Sequence, residues 1–82
     1  MYLNENKSMS YRISAKVLVS IGKSMRKVRK GQGREQVEVA EEAGISTSFY
    51  ARLERGEGNP TLEVLYAVVK ALHVKASDIL PF

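Results

Sequence analysis

The sequence predicts an all-α fold, a compact bundle of five helices, and three observations carry that prediction. Apolar residues recur at i, i+3 and i+4 in successive segments, the spacing that lines one face of an α-helix. No segment of useful length alternates apolar with polar residues, as a half-buried strand would. Turn-forming glycines, and a proline ahead of Thr61, fall between the periodic segments, where helices stop and start.

Residues 1–9 are polar with no sustained period and read as a loosely ordered N-terminal tail. From Ser10 the pattern turns helical. Ile13, Val17, Leu18, Ile21, Met25 and Val28 form one apolar stripe, with Lys16, Lys23, Lys27 and Lys30 on the opposite face. Gly31 and Gly33 end this first helix. The second runs from about Glu35 to Ala43, with Val39, Ala40 and Ala43 inward and Glu38, Glu41 and Glu42 outward. Gly44 follows its last turn, where a left-handed residue costs glycine little. Ser46 is a good N-cap for a third helix that turns Phe49, Tyr50 and Leu53 inward and ends before Gly56. After the turn formers Arg55 to Pro60, Thr61 caps a fourth helix reaching about Leu72. Leu62, Leu65, Val68, Val69 and Leu72 lie on its inner side. A short fifth helix is expected over about Ala76–Leu80.

At 82 residues the chain is one domain with a small core, residues 10–82 in this reading. It has no cysteine, so a disulfide framework and a thiolate metal site are excluded. The longest mostly apolar stretch, residues 13–22, is too short to span a bilayer, and no secretory signal is evident. The expectation is a soluble, cytoplasmic protein without a membrane partner. Charge is uneven. Residues 1–34 hold nine Lys/Arg against one Glu, a net +8, whereas residues 35–82 hold four against eight acids, a net −4. A basic half suits a polyanion, either nucleic acid or an acidic membrane, and equally a solvated helix face.

Two short helices joined by a tight glycine turn form a helix-turn-helix when they cross steeply. Ala40 is small enough for close crossing, and Ile45 and Leu53 anchor the unit to the core. Ser46, Thr47, Ser48, Ala51, Arg52 and Arg55 then make an outward face short enough for the helix to approach the edges of DNA bases. Gln36, Ala40, Gly44, Ile45 and Leu53 at this spacing are a far stronger signal than the glycine alone.

At these residues the chain resembles the lambda-repressor-like, or Xre, family of bacterial and phage regulators. The resemblance covers roughly Ser24 to Leu80. It is densest in Gln36, Val39, Ala40, Ala43, Gly44, Ile45 and Ser46, and in Leu53-Glu54-Arg55-Gly56 followed by Asn59-Pro60-Thr61-Leu62. Leu72-His73-Val74 and Asp78-Ile79-Leu80 match the family's closing segment.

The resemblance implies a role for each matching position. Gln36 would clamp a phosphate with its amide at a helix N-terminus. Thr47, Ser48 and Arg52 would face base edges in the major groove, while Ser46, Arg55 and the loop to Asn59 would touch the backbone. For Arg52 the alternatives are a phosphate contact or a surface salt bridge with Glu38 or Glu41. For Thr47 and Ser48 the alternative is N-capping. Arg29 and Glu54 match a pair that is salt-bridged in relatives. The chain departs from the family pattern at Arg34 and Glu35, at Tyr50, at Glu57, and at His73, which stands where glycine is usual and a left-handed backbone is expected. The Tyr50 hydroxyl would need a partner or water.

One His, no Cys and no pocketed carboxylate pair argue against an enzyme, and no cofactor or metal is expected. The reading is a transcriptional regulator that binds double-stranded DNA as a homodimer at an inverted repeat with half-sites about one helical turn apart. From length alone, regulation is expected through concentration, dimer formation or a partner. The alternative is a protein-interaction module, such as the antitoxin of a toxin–antitoxin pair or a restriction–modification controller. The apolar tail Leu80-Pro81-Phe82 would provide contact surface or pack on its own core.

Overall fold

A computed structural model describes residues 13–82. The expected tail, 1–9, and residues 10–12 of the expected first helix lie outside these residues. Four α-helices follow one another: α1 (Ala15–Gly31), α2 (Gln36–Ala43), α3 (Thr47–Glu54) and α4 (Leu62–Ala71), with a closing 3-10 turn at Ala76–Asp78. No strand occurs among the described residues.

Capping sets three of the starts. Ser14 Oγ accepts from Val17 N at 3.3 Å, Ser46 Oγ from Phe49 N at 3.1 Å, and Thr61 Oγ1 from Val64 N at 3.2 Å. Each satisfies a first-turn N–H that has no helical partner. Because Ser14 is the cap of α1, Ile13 precedes the helix and is not part of its stripe. At the start of α2, Glu35 N donates to Glu38 Oε1 at 2.6 Å. Glu35 is therefore the cap, not the first helical residue.

The most extensive packing is of α2 on α4, α1 on α3, and α2 on α3. The fully buried centre comprises Met25, Val39, Tyr50, Val68, Leu72 and Ile79, with at least one residue from every helix and one from the closing segment. Gly22, within α1, permits the α1–α3 approach. A Cβ built there would lie 2.5 Å from the carbonyl oxygens of both Leu53 and Glu54.

Two expectations about the C-terminal half need correction. The fifth element is one turn of 3-10 helix. So short a segment cannot nucleate a stable α-helix, and Asp78 Oδ2 closes the turn by accepting from Lys75 N at 2.9 Å. Leu62 does not face inward and is 78% exposed. It shares its side of α4 with Leu65, Tyr66 and Val69, and Ala76 and Leu80 close that side only in part, leaving Leu62 and Tyr66 open.

The end of α4 is held from the α1–α2 connection. Gln32 Nε2 donates to Leu72 O and Arg34 Nη1 to Ala71 O, both at 2.7 Å, so two terminal carbonyls gain side-chain partners. Arg34 also pairs with Glu42 at 2.6 Å, and Glu42 pairs with His73 at 2.8 Å. His73 takes the left-handed conformation (φ 58°) and turns the chain out of α4.

Candidate nucleic-acid interface

The unit α2–Gly44–α3 is built by local chemistry. Gly44 is left-handed (φ 77°), and the N–H groups of Gly44 and Ile45 donate to the Glu41 and Ala40 carbonyls, closing α2. One residue later Ser46 opens α3. Val39, Ala40, Tyr50 and Leu53 are buried, which fixes the crossing and leaves the other side of α3 outward.

On that outer side Ser46, Thr47, Ser48, Arg52 and Arg55 are exposed. Thr47 and Ser48 occupy the first two positions of α3, where short hydroxyl side chains allow close approach of the helix end. Ser46 spends its hydroxyl on the cap while remaining exposed. Asn59 is exposed in the α3–α4 loop.

Behind this face lies the Arg29–Glu54 pair. Arg29 Nε donates to Glu54 Oε2 at 2.6 Å and Nη2 to Oε1 at 3.0 Å, a two-point bridge whose side chains are only 8% and 3% exposed. Arg29 Nη1 also reaches Arg34 O at 2.8 Å, and Gln36 Nε2 donates to Glu54 Oε1 at 2.9 Å. One carboxylate thus ties the end of α1 and the start of α2 to the end of α3. Burial alone would raise the Glu54 pKa, but the hydrogen bonds from Arg29 and Gln36 outweigh it and hold the carboxyl below its ordinary value. Gln36, expected to meet a phosphate, therefore has one amide N–H engaged inside the protein.

Tyr50 lies beside this pair, and burial above all raises its pKa well beyond the usual range for a phenol. Its hydroxyl is buried without a hydrogen-bond partner among the described residues.

Two features of the site were not legible in the sequence. A cleft between α1 and the α2–α3 unit is lined by Arg26, Arg29, Lys30, Gln36 and Thr47, with Glu35 and Val37 completing it. Arg26 and Lys30 make no ion pair among the described residues, so they and Gln36 offer donors to an anion. The excess of cations in residues 1–34 was the available signal, but not which of them faces α3. Lys27, from the same basic stripe, turns instead toward Val74 and Asp78.

The second is the pairing of Glu57, which the sequence marked only as a departure from the family pattern. Arg52 pairs with neither Glu38 nor Glu41; its nearest carboxylate is Glu57, at 3.8 Å from Nε. Arg55 donates to the same carboxylate twice, at 3.0 and 3.2 Å. The partner lies across the turn after α3, outside the i, i+4 spacing by which helix pairs are read.

Comparison with known proteins agrees with this geometry. The helix-turn-helix family model HTH_3 matches residues 25–79. The immunity repressor protein of Bacillus phage phi105 is 38% identical over 61 residues, covering 74% of this chain and 42% of the repressor. The cryptic phage CTXphi transcriptional repressor RstR of Vibrio cholerae is 37% identical over 51 residues, 62% of this chain and 46% of that protein. The chain thus spans less than half the length of these two curated relatives. Among solved structures, the restriction-modification controller protein C.AhdI from Aeromonas hydrophila superposes with a TM-score of 0.74 at 27% identity, over 77% of this chain and 96% of that one. With the family match over most of the chain and the glycine-joined pair of helices at its centre, the chain belongs to the Xre-type, lambda-repressor-like helix-turn-helix family.

Proposed function

We propose that this chain is a sequence-specific transcriptional regulator that binds double-stranded DNA through the major groove and reads an inverted-repeat operator as a homodimer. The observation that carries the reading is the exposed face of α3, where Thr47, Ser48 and Arg52 stand outward beside a cleft whose donors are Arg26, Lys30 and the amide of Gln36. Phosphate contacts position a protein on the duplex and base contacts specify the sequence. Gln36, Ser46, Arg55 and Asn59, joined by Arg26 and Lys30, serve the first purpose. Thr47, Ser48 and Arg52 serve the second. Arg52 can offer two donors to O6 and N7 of one guanine, a pairing that discriminates by about 1–3 kcal/mol. The buried Arg29–Glu54 bridge keeps both groups of contacts in one rigid frame. The curated relatives above are named as repressors, which supports the same reading.

A homodimer is supported by the apolar side of α4 and the C-terminus. Leu62 is 78%, Tyr66 66% and Phe82 79% exposed, and Leu62 and Tyr66 border a notch with only apolar residues around it. Adjoining exposed apolar groups such as Leu62 and Tyr66 mark contact surfaces. A two-fold pair would place two α3 helices in successive major grooves, roughly 34 Å apart. The same apolar side supports a second reading, in which it receives a protein partner such as a toxin. Structural likeness to a protein named as a restriction-modification controller supports, within that second reading, a controller over an antitoxin.

Selection of bound duplexes from a random DNA pool by the purified protein, at physiological salt, tests the proposal. Enrichment of an inverted repeat is the expected result. Salt-sensitive binding with no enriched sequence would overturn sequence reading and favour the protein-partner reading.

A further inference from the structure

Glu57 is an acid on a surface otherwise suited to a polyanion, and its placement is specific. The chain turns at Gly56 after α3, and Glu57 N donates to Arg52 O at 2.9 Å, so the residue is held by its own backbone against the end of the reading helix. Its carboxylate accepts from Nε of Arg55 at 3.0 Å and from Nη2 at 3.2 Å, a two-point fork that fixes the plane of the guanidinium. Nη1 of Arg55 stays unengaged among the described residues. Oε1, the oxygen that accepts from Arg55 Nη2, also lies 3.8 Å from Nε of Arg52, a charge contact beyond hydrogen-bond length, and the terminal nitrogens of Arg52 donate to no partner among the described residues. All three side chains are about half exposed, so the contacts meet solvent and any approaching duplex. The Arg55 hydrogen bonds hold the Glu57 carboxyl below its ordinary pKa, so it stays charged at neutral pH.

We propose that Glu57 is a specificity-determining positioning residue, clamping Arg55 and orienting Arg52 so that one aligned docking on DNA is favoured over misaligned, sequence-independent binding. The inference rests on the DNA-reading proposal above. In an aligned complex Arg55 remains on the carboxylate and donates Nη1 to one phosphate, while Arg52 offers its terminal nitrogens to a base. In a misaligned complex Arg55 reaches a phosphate only by leaving Glu57, which also brings an uncompensated carboxylate toward the backbone. The penalty therefore falls mainly on non-specific binding, which is almost wholly electrostatic.

The test compares wild type and Glu57→Gln on two duplexes, the sequence enriched by selection and a random-sequence duplex, across a salt series. The exposed position leaves the fold intact, checked by an unchanged helical circular-dichroism spectrum. On the random duplex the variant is expected to bind more tightly, with a salt slope steeper by about 0.9, the weight of one added phosphate contact. The operator-to-random affinity ratio is expected to fall by about two- to fivefold, the equivalent of one exposed ion pair. Equal gains on both duplexes, or an unchanged slope, would overturn the inference. Glu41→Gln removes the same charge from an exposed position that forms no ion pair among the described residues. If it lowered the ratio equally, charge alone and not the placement of Glu57 would be responsible, and the inference would fall. If no sequence were enriched, the operator reading would fail separately, and the slope on random duplex would still decide whether Glu57 restrains Arg55.

Discussion

Replacing Glu54 with alanine removes the acceptor shared by Arg29 and Gln36 and leaves a buried guanidinium without its counter-ion. Taking one partner from a buried ion pair costs about 3–5 kcal/mol, because the remaining charge stays desolvated. Arg29 keeps its 2.8 Å bond to Arg34 O, so the lower end applies, about 3 kcal/mol. Total stability for a domain of this size is roughly 4–12 kcal/mol, so the loss is a large fraction of it. With about 4–8 °C per kcal/mol in small domains, Tm should drop by roughly 12–24 °C. Thermal melts followed by circular dichroism, with urea titration for the free energy, measure this directly. A Tm within about 4 °C of wild type, under about 1 kcal/mol, would refute the claim that the bridge locks α1 and α2 to α3. The double variant Arg29→Met/Glu54→Leu adds a second arm. Exchanging both charges for apolar groups should recover at least half the loss, since the orphaned charge is gone. The pH dependence has a defined sign. A carboxyl whose folded pKa is depressed contributes stability fully above its unfolded pKa, about 4.3, and loses it as pH falls through the lower folded value. The acid-side fall in Tm should therefore be shallower in Glu54→Gln than in wild type.

Four other outcomes follow from the structure and the proposed reading. Gly22→Ala should destabilise more than Gly44→Ala, as read by chemical denaturation. The first drives a Cβ to within 2.5 Å of the Leu53 and Glu54 carbonyls, whereas the second meets open space and adds only left-handed strain of about 1–2 kcal/mol; the reverse order would contradict the close α1–α3 crossing. Tyr50→Phe should leave stability unchanged or raise it, because the hydroxyl it removes has no partner among the described residues; a loss above about 1 kcal/mol would reveal a hydrogen bond to that hydroxyl. Arg52→Ala should relax base preference at one position per half-site in the selection experiment. Gln36→Ala should weaken binding to all sites about equally, and an unchanged sequence preference in Arg52→Ala would remove it from the base-reading set.

Local information was enough for the helices and the turn between α2 and α3. Ser46, Thr61 and Gly44 act within one turn of the backbone, through caps and a left-handed residue, so their roles are written in the few residues around them. The outward set Thr47, Ser48 and Arg52 follows from the same 3.6-residue period that buries Tyr50 and Leu53. His73 in a left-handed conformation was legible too, because the resemblance places a glycine-like position there.

What lay beyond the sequence depends on which elements meet. Periodicity put Leu62 inward, but only the extent of the closing segment decides how much of α4 is covered. The expected fifth helix became a single 3-10 turn because its length falls below what α-helix nucleation supports. Nothing local marks Gly22 as the α1–α3 crossing point, or Gln32 and Arg34 as the groups that close the end of α4 forty and thirty-seven residues away. The sequence offered Glu38 or Glu41 as a salt-bridge partner for Arg52, whereas the turn at Gly56 folds Glu57 back toward both Arg52 and Arg55. The sequence by itself determined the four α-helices and the outward face of α3, because capping and periodicity act over one or two turns. Tertiary structure decided the buried frame, the uncovered side of α4 and the placement of Glu57 against Arg52 and Arg55, because burial and ion pairing depend on distances that only packing sets.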